Sequence, residues 1–295
     1  MKIDSTTVQL VLAIAEEGSI SRAADKLNLA VAAASRRISD LEKQCGTRLF
    51  QRVPHGVRMT ESGSKLLQHI RQIDNLIMRL QDDADAISRG QDGRIIIGAP
   101  KTAIIQFLAK DIARIKRKHP GITIQVIEEN SKVVQQLLRD KVIDIGIYEK
   151  TSGFMSLEAF DYHRDRLVLV YSRAHYRFHA DPVRWEDVLD VPLIALGKGS
   201  AILSAVQRAY RSHGRLFHPH FIVSGFDTML ALVREGLGVG LMPPSILHDF
   251  HVGPALASSE IQGDWHERHY MLSSVDSNAQ PLALRNVLDI LLAGR

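Results

Sequence analysis

Residues 28–44, NLAVAAASRRISDLEKQ, place Ser35, Arg36 and Arg37 directly after a run of small apolar residues. Guanidinium and hydroxyl groups donate hydrogen bonds to phosphates and to the edges of bases. The small residues beside them would let a helix approach a neighbouring surface closely. A core helix does not need the arginines, and a surface helix does not need the alanines. The pattern therefore predicts a helix that enters a DNA groove.

The elements around this stretch fit the same interpretation. Apolar spacing predicts helices over residues 4–17, 19–27 and 30–44, with Ser19 as the N-cap of the second. A short turn between the last two makes them a helix-turn-helix, whose second helix lies in the major groove. Asp40 and Glu42 are expected at the far end or on the outer face of that helix.

A hairpin is predicted next, in RLFQRVPHGVRMT, because two extended runs flank the turn residues 54–56. Its arginines are suited to phosphates or to a minor groove, and Thr60 is suited to cap the helix that follows. From these elements we predict the DNA contacts to be Ser21, Arg22, Val31, Ala32, Ser35, Arg36, Arg37, Arg52, His55 and Arg58.

The next predicted helix, over residues 61–88, carries apolar residues at alternating spacings of four and three, a heptad pattern. One interpretation is a dimer seam that holds two DNA-reading heads at a fixed distance. The other is a helix packed on its own domain. The seam would consist of Leu66, Ile70, Ile73, Ile77, Leu80, Ala84 and Ile87.

Charge is distributed unevenly along the 295 residues. Residues 20–71 contain ten basic and four acidic side chains, a net charge of +6, while the whole chain carries only +4. A basic block on a near-neutral body is typical of a phosphate-binding surface, although a solvated charged face would look the same. The single cysteine, Cys45, excludes an intrachain disulfide and favours a reducing compartment.

The N-terminal apolar run is short, is broken by Gln9 and has helical spacing, so we interpret it as a helix and not as a signal peptide. No apolar stretch approaches the length needed to cross a bilayer. We therefore predict a cytoplasmic protein.

The remaining two thirds of the chain alternate predicted strands with predicted helices after the hinge-like segment SRGQDG. Strands begin near residues 94, 122, 143, 167, 192, 220 and 238, and helices are predicted over 102–118, 131–141, 202–213, 226–235 and 282–293. This alternation predicts parallel α/β sheets.

A long stretch, AEEGSISRAADKLNLAVAAASRRISDLEKQCGTRLFQRVPHGVRMTESG, resembles the N-terminal signature of the LysR-type transcriptional regulators. The matching positions are Ala15 to Ser19, Ala23, Ala24, Leu27, Ala33, Ser35, Arg36, Ile38, Leu41, Glu42, Gly46, Leu49, Phe50, Arg52, Thr60 and Gly63. The family usually begins its recognition helix with Ser-Gln-Pro, whereas this chain has Ala30, Val31 and Ala32. The resemblance implies that the missing glutamine would contact bases or phosphate. We expect Val31 and Ala32 to make apolar contacts instead, for instance with thymine methyl groups, which favours half-sites rich in A·T.

The resemblance extends more weakly over nearly the whole chain. It implies a winged helix-turn-helix (1–60), a linker helix with a hinge (61–92) and a two-lobed α/β effector domain (93–295) similar to periplasmic binding proteins. The first lobe would comprise residues 93–161 and 267–295, and the second 162–266. It implies a homodimer or dimer of dimers on two-fold DNA sites, with RNA polymerase as a candidate partner.

An effector would then lie between the lobes, at strand ends and helix N-termini. Hydroxyls and lysines at those positions suit a small carboxylate, although each hydroxyl could instead merely cap its helix. The predicted effector site consists of Pro100, Lys101, Thr102, Ser131, Tyr148, Lys198, Ser200, Phe226 and Thr228.

Other chemistries find little support in the residues. GLGVG leaves a helix and enters a strand, the reverse of a phosphate loop. The paired histidines lack companion cysteines or an H-E-x-x-H spacing, so we expect no metal and no cofactor. No catalytic constellation is visible, and we predict a protein that is not an enzyme. Two other classes stay open: a small-molecule binding protein or enzyme built on the α/β half, and an architectural DNA binder that lacks sequence preference.

Overall fold

A computed structural model describes residues 3–88, 93–152, 158–197, 199–275 and 281–293. The chain divides into two compact units, one of residues 1–94 with 140–142 and the other of residues 95–139 with 143–295. No helix in the described ranges is both long and apolar enough to cross a membrane.

Three helices, a hairpin and a long helix make up the N-terminal unit. They are α1 (Ser5–Glu17), α2 (Ile20–Lys26), α3 (Val31–Cys45), β1 (Phe50–Val53), β2 (Gly56–Met59) and α4 (Glu61–Ser88). Asp4 caps α1 through the Thr7 N–H, and Gly18 ends it in the left-handed region at φ 61°. Ser19 caps α2 as predicted. The predicted helix-turn-helix and wing are thus confirmed.

One apolar core joins these elements. The buried residues of α1 pack with Ala23 and Ala24 of α2 and with the stripe Ala34, Ile38 and Leu41 of α3. Because Ala23 and Ala24 have small side chains, α2 can lie close to its neighbours. The stripe fixes which face of α3 is inside and leaves Val31, Ala32, Ala33 and Arg36 exposed on the other.

The long helix α4 packs with its first half against this core. Ile70 is buried there, and Leu66 and Ile73 pack against the cluster at its edge. For these three residues the packing supports the competing arrangement of a helix packed on its own domain. Farther along, Ile77 is half-buried, Leu80 and Ala84 are exposed, and the side chain of Ile87 lies outside the described residues.

The C-terminal unit contains two five-stranded sheets, and the first has the strand order β4-β3-β5-β12-β6. We call this sheet and its helices the first lobe. Its elements are β3 (Arg94–Ala99), α5 (Lys101–Ala103), α6 (Ala109–Lys118), β4 (Thr123–Glu128), α7 (Ser131–Arg139), β5 (Ile145–Glu149), β6 (Phe160–Arg166), β12 (Glu267–Ser274) and α11 (Leu282–Leu292). A π-helical segment, Ile104–Leu108, joins α5 to α6.

The second sheet has the order β11-β7-β10-β8-β9, and with its helices it forms the second lobe. Its elements are β7 (Val168–Ser172), β8 (Leu193–Leu196), α8 (Ala201–Ser212), β9 (Phe221–Val223), α9 (Phe226–Arg234), β10 (Val239–Met242), α10 (Pro244–Asp249) and β11 (Leu256–Ser259). The chain crosses between the lobes near residues 166 and 266.

Two sequence predictions need correction here. The sheets are mixed and not wholly parallel, because β12 runs antiparallel to β5 and β6, and β7 runs antiparallel to β10 and β11. Residues 162–166 are expected in the second lobe from the resemblance, but they form most of β6, which pairs with β12 in the first. The segment GLGVG begins in a turn, with Gly236 at φ 73°, and its last two residues already belong to β10, as its position after α9 indicated.

Candidate functional site

The exposed start of α3 is the first candidate site. Ala30 occupies the N-cap position, where its methyl group accepts no hydrogen bond, and Val31 follows with 42% of its surface exposed. Ala32 and Ala33 are also exposed. The first turn of α3 therefore presents a short apolar edge beside backbone N–H groups that lack a side-chain cap.

The arginines near this edge differ in their surroundings. Arg36 is exposed and points away from the core stripe. Arg37 instead donates from Nη1 to Asp4 Oδ2 at 2.7 Å and to Thr7 Oγ1 at 3.2 Å. Hydrogen bonds from Thr7 and from Arg37 lower the pKa of the Asp4 carboxyl to about 2. Arg37 thus ties α3 to the start of α1, a structural role that the sequence interpretation did not anticipate.

The remaining predicted DNA contacts lie on α2 and on the wing. Ser21 is exposed, and exposed Arg22 contacts the carbonyl and the carboxylate of Glu17. Arg52, His55 and Arg58 are exposed along the hairpin, whose strands pair in the register Gln51 to Arg58 and Arg52 to Val57. Ser35 is half-buried.

Glu42, which lies near the far end of α3, positions the wing. Its Oε1 atom accepts hydrogen bonds from the backbone N–H of Leu49 at 2.8 Å and of Phe50 at 3.1 Å. At the wing tip, the Val57 N–H donates to the Gly18 carbonyl at 2.9 Å. The wing is therefore tied to both α3 and the turn between α1 and α2.

A cavity of about 390 Å³ in the C-terminal unit is the second candidate site. Three helices begin at its wall: α7 at Ser131, α8 at Ala201 and α9 at Phe226. The partial positive charges of helix N-termini favour anionic groups. Six of the predicted effector residues line it: Pro100, Lys101, Thr102, Ser131, Ser200 and Phe226.

Several of the lining hydroxyls already have partners. Ser200 Oγ accepts from the Ile202 N–H at 3.2 Å and so caps α8, and Ser131 Oγ accepts from the Glu149 N–H at 3.1 Å. Thr102 Oγ1 lies 2.9 Å from the Tyr270 hydroxyl. Burial raises the pKa of that phenol to about 12, so it stays protonated near neutral pH.

Three predicted effector residues do not line the described cavity wall. Tyr148 is buried with its hydroxyl 2.7 Å from Ser273 Oγ, because successive residues of β5 face opposite sides of the sheet and Glu149 takes the cavity side. Thr228 is exposed on α9. Lys198 lies outside the described residues.

The sequence interpretation missed the charged floor of the cavity. Glu149, Arg268 and Tyr270 line it and are buried, and Glu128 and Glu129 line it from exposed positions. Arg268 and Tyr270 lie on β12, which was not predicted as a strand. The alternation of Arg268, Tyr270 and Leu272 at every second position was the signal that could have revealed it. Across the described ranges, no cluster of three or more histidine, cysteine or acidic residues is arranged to hold a metal ion.

Two family models match the chain. The bacterial regulatory helix-turn-helix protein of the lysR family matches residues 6–64, and the LysR substrate binding domain matches residues 88–295. The chain is 28% identical to the uncharacterized HTH-type transcriptional regulator YvbU of Bacillus subtilis, with 80% of each chain covered. It is 25% identical to the HTH-type transcriptional regulator CfxR of Cupriavidus necator, covering 89% of this chain and 84% of that one.

Solved structures show the same fold. A full-length CbnR complexed with its target DNA matches with a TM-score of 0.73 at 19% identity, covering 99% of this chain and all of that one. A full-length OxyR variant from Pseudomonas aeruginosa matches with a TM-score of 0.66 at 18% identity, covering 99% of this chain and 95% of that one.

Proposed function

The chain belongs to the LysR family of DNA-binding transcriptional regulators with an effector domain, and from that premise we propose which DNA it reads and what it responds to. It is a regulator and not an enzyme. We propose that it binds two-fold symmetric promoter sites as a homodimer or dimer of dimers. A small effector with an anionic group would control it from the cavity, with RNA polymerase as a further partner, in the cytoplasm.

The exposed apolar edge of α3 is the observation that carries the DNA proposal. Val31 and Ala32 offer methyl groups and no side-chain hydrogen bond. In the major groove, thymine alone presents a methyl group, so an apolar edge favours A·T pairs where it docks. Arg36 and the wing arginines then supply the phosphate contacts that fix the register of the protein on the duplex.

Selection of bound duplexes from a random library, with purified full-length protein at one stated salt concentration, tests this proposal. The expected result is a site with two-fold symmetry and A·T pairs beneath the start of α3. Binding without enrichment would instead indicate an architectural binder, and absence of binding at low salt would refute the DNA proposal. Invariant G·C pairs beneath Val31 would contradict the thymine contact.

A Val31→Gln variant sharpens the same selection. A glutamine amide pairs with the N6 and N7 atoms of adenine, so the preference at the docked position should change while the rest of the site persists. Val126→Gln, at a valine of similar exposure on β4, is the matched control and should leave the selected site unchanged. An identical site from Val31→Gln would show that Val31 does not face a base.

The second half of α4 carries an exposed apolar face, and the proposed dimer seam lies there. Leu76 has 68% of its surface exposed and Leu80 has 70%, one helical turn apart. Two such faces would bury each other in a homodimer. This supports a shared seam around Leu76, Ile77, Leu80 and Ala84, shorter than the sequence predicted.

A further inference from the structure

Three neighbouring strands of the first lobe carry a row of buried polar side chains at the cavity. In the order β6, β12, β5, Asp165 lies opposite Arg268, and Tyr270 lies opposite Glu149. Arg268 and Tyr270 are two residues apart on one strand, so both side chains face the same side of the sheet. Arg268 is 2% exposed and Glu149 is 3% exposed. Buried charges of this kind are kept only where specific partners compensate for their desolvation.

Asp165 holds one edge of the Arg268 guanidinium. Its Nε donates to Asp165 Oδ1 at 2.7 Å, and its Nη2 donates to Asp165 Oδ2. Its plane lies over the Tyr270 ring, with Cζ 5.3 Å from the ring centroid. This arrangement holds the group rigidly while Nη1 stays uncommitted to Asp165. Together with Thr102 and the N-termini of α7, α8 and α9, it forms one region that favours an anionic group.

Carboxylates form a second region of the same cavity wall. The buried side chain of Glu149 accepts hydrogen bonds from the Thr151 N–H at 3.0 Å and from the Thr151 hydroxyl at 2.7 Å. Both bonds help to fix the position of the carboxylate. Glu128 and Glu129 add two more negative groups at the exposed side of the cavity.

The balance of charge on the wall argues against a purely anionic ligand. Among the described lining residues, Glu128, Glu129 and Glu149 are acidic and Lys101 and Arg268 are basic; Arg268 is paired with Asp165, and Glu149 is hydrogen-bonded to Thr151. A dicarboxylate or other polyanion would bring its second charge close to these glutamates, where like charges repel in a low-dielectric setting. A protonated amine would be attracted there.

We propose that the effector is a small zwitterion, with its anionic group at Arg268 and the helix N-termini and its protonated amine at Glu149 and the rim glutamates. An α-amino acid or an aminophosphonate has this chemistry. The inference rests on the proposed function, in which this cavity holds the effector. The volume of about 390 Å³ lies at the small end of ligand pockets and fits a molecule of that size.

Thermal unfolding of the full-length protein, measured with a compound panel in three charge classes, tests the proposal. The classes are amino acids with aminophosphonates, carboxylates and phosphates without an amine, and amines without an anionic group. We expect a rise in Tm only with members of the first class. Each stabilising compound is then titrated to obtain its Kd.

Variants of the carboxylates decide whether the amine is recognised as proposed. Glu149→Gln should raise the Kd of the stabilising zwitterion at least tenfold. Glu149 is buried, and its replacement could disturb folding. A double variant of the exposed pair, Glu128→Gln with Glu129→Gln, therefore provides a second test. It should raise the Kd of the zwitterion severalfold. Glu235→Gln, an exposed carboxylate on the second lobe that does not line the described wall, is the control and should leave the Kd unchanged.

Other outcomes overturn the proposal. If anions without an amine bind most tightly, and if Glu149→Gln strengthens their binding further, then the glutamates only repel the ligand. The absence of stabilisation by every class would show that the cavity does not take a small zwitterion. Binding to the selected DNA site, measured on the same preparation, distinguishes failure of the effector proposal from failure of the proposed function. If DNA binding persists, only the effector chemistry is wrong, and if it is absent, the proposed function itself fails.

Discussion

Arg36 and Arg37 are neighbours in the chain, but α3 turns them toward different surroundings. Ile38, next along the helix, lies in the buried stripe, and Arg37 sits at the edge of that stripe beside α1. The sequence predicted two adjacent DNA-binding arginines because residue type alone does not say which face of a helix a side chain occupies. Arg36 is exposed and stays a predicted DNA contact, while the contacts of Arg37 support a structural role.

The charge state of Asp4 should affect the stability of the N-terminal unit. Its pKa is about 2 in the folded protein, below the ordinary value of 3.8, so its stabilising effect is present above pH 3.8 and is lost as the pH falls toward 2. Asp4→Ala also removes the cap of α1, and we expect a loss of about 1 kcal/mol near pH 7.

Hydrogen exchange of the α1 amides in the full-length protein, corrected for intrinsic rates, checks this prediction. The difference between wild type and Asp4→Ala should shrink between pH 4 and pH 2. Asp25→Ala, an exposed carboxylate within α2 and away from its N-cap position, is the control. Equal α1 protection in wild type and Asp4→Ala at pH 7 would show that Asp4 contributes little.

At the scale of the element, the position of the wing depends on one glycine. Gly56 has φ 137°, and a Cβ atom there would lie 2.2 Å from the Gly18 carbonyl oxygen. Gly56→Ala should therefore displace the hairpin from the turn between α1 and α2, with a strain of about 1–3 kcal/mol. Since Arg52 and Arg58 move with the hairpin, we expect weaker DNA binding at constant salt.

Titration of a labelled duplex with wild type and Gly56→Ala measures that loss. Gly253→Ala, at a position with open space around it, is the control and should bind DNA as the wild type does. Unchanged affinity of Gly56→Ala would show that the wing arginines do not contact the duplex.

Helices of this protein could be predicted from the sequence more reliably than its strands. The amphipathic spacing of α3, α4 and α7 gave their positions within a few residues, because a helix buries its stripe locally. Strand β6 was missed because its residues FDYHRDR are largely polar, and its burial depends on pairing with β12, a strand distant in sequence. The same distant pairing brings Asp165 to Arg268 and Glu149 to Tyr270, so the floor of the cavity could not be predicted locally.

At the scale of the C-terminal unit, a chain of hydrogen bonds links the two lobes. Ser245 Oγ of α10 donates to Gln106 Oε1 at 2.6 Å, and Gln106 Nε2 donates to Asp165 Oδ2 at 2.6 Å. Gln106 lies in the π-helical segment, and Asp165 holds Arg268 at the cavity. The proposed effector site and the contact between lobes therefore share one buried carboxylate.

Ser245→Ala should loosen this contact without altering the cavity wall. One hydrogen bond contributes about 1 kcal/mol net, so opening of the contact should become roughly fivefold more frequent. Hydrogen exchange of the amides in α10 and in residues 104–108 would report it as faster exchange. Ser212→Ala, whose hydroxyl bonds only near its own helix end, is the matched control. Unaltered exchange in both segments would argue against a mechanical role for Ser245.

We expect the oligomeric state to depend on the exposed apolar face of α4. Leu80→Glu places a charge on that face, and we expect dissociation toward monomers in sedimentation analysis, with weaker binding to two-half-site DNA. Leu282→Glu, at an equally exposed leucine in the other unit, should leave the assembly unchanged. An intact oligomer in Leu80→Glu would place the seam elsewhere.

A dimer seam at the leucines of α4 would also connect gene dosage to regulation. If two chains must join at Leu76 and Leu80 before both half-sites are read, promoter occupancy at low abundance follows the square of the copy number, so halving the copies would reduce occupancy roughly fourfold. A cell could then silence the target genes by modestly limiting synthesis of the regulator. Leu76 and Leu80 would in that way make the response to abundance steeper than one chain acting alone could give.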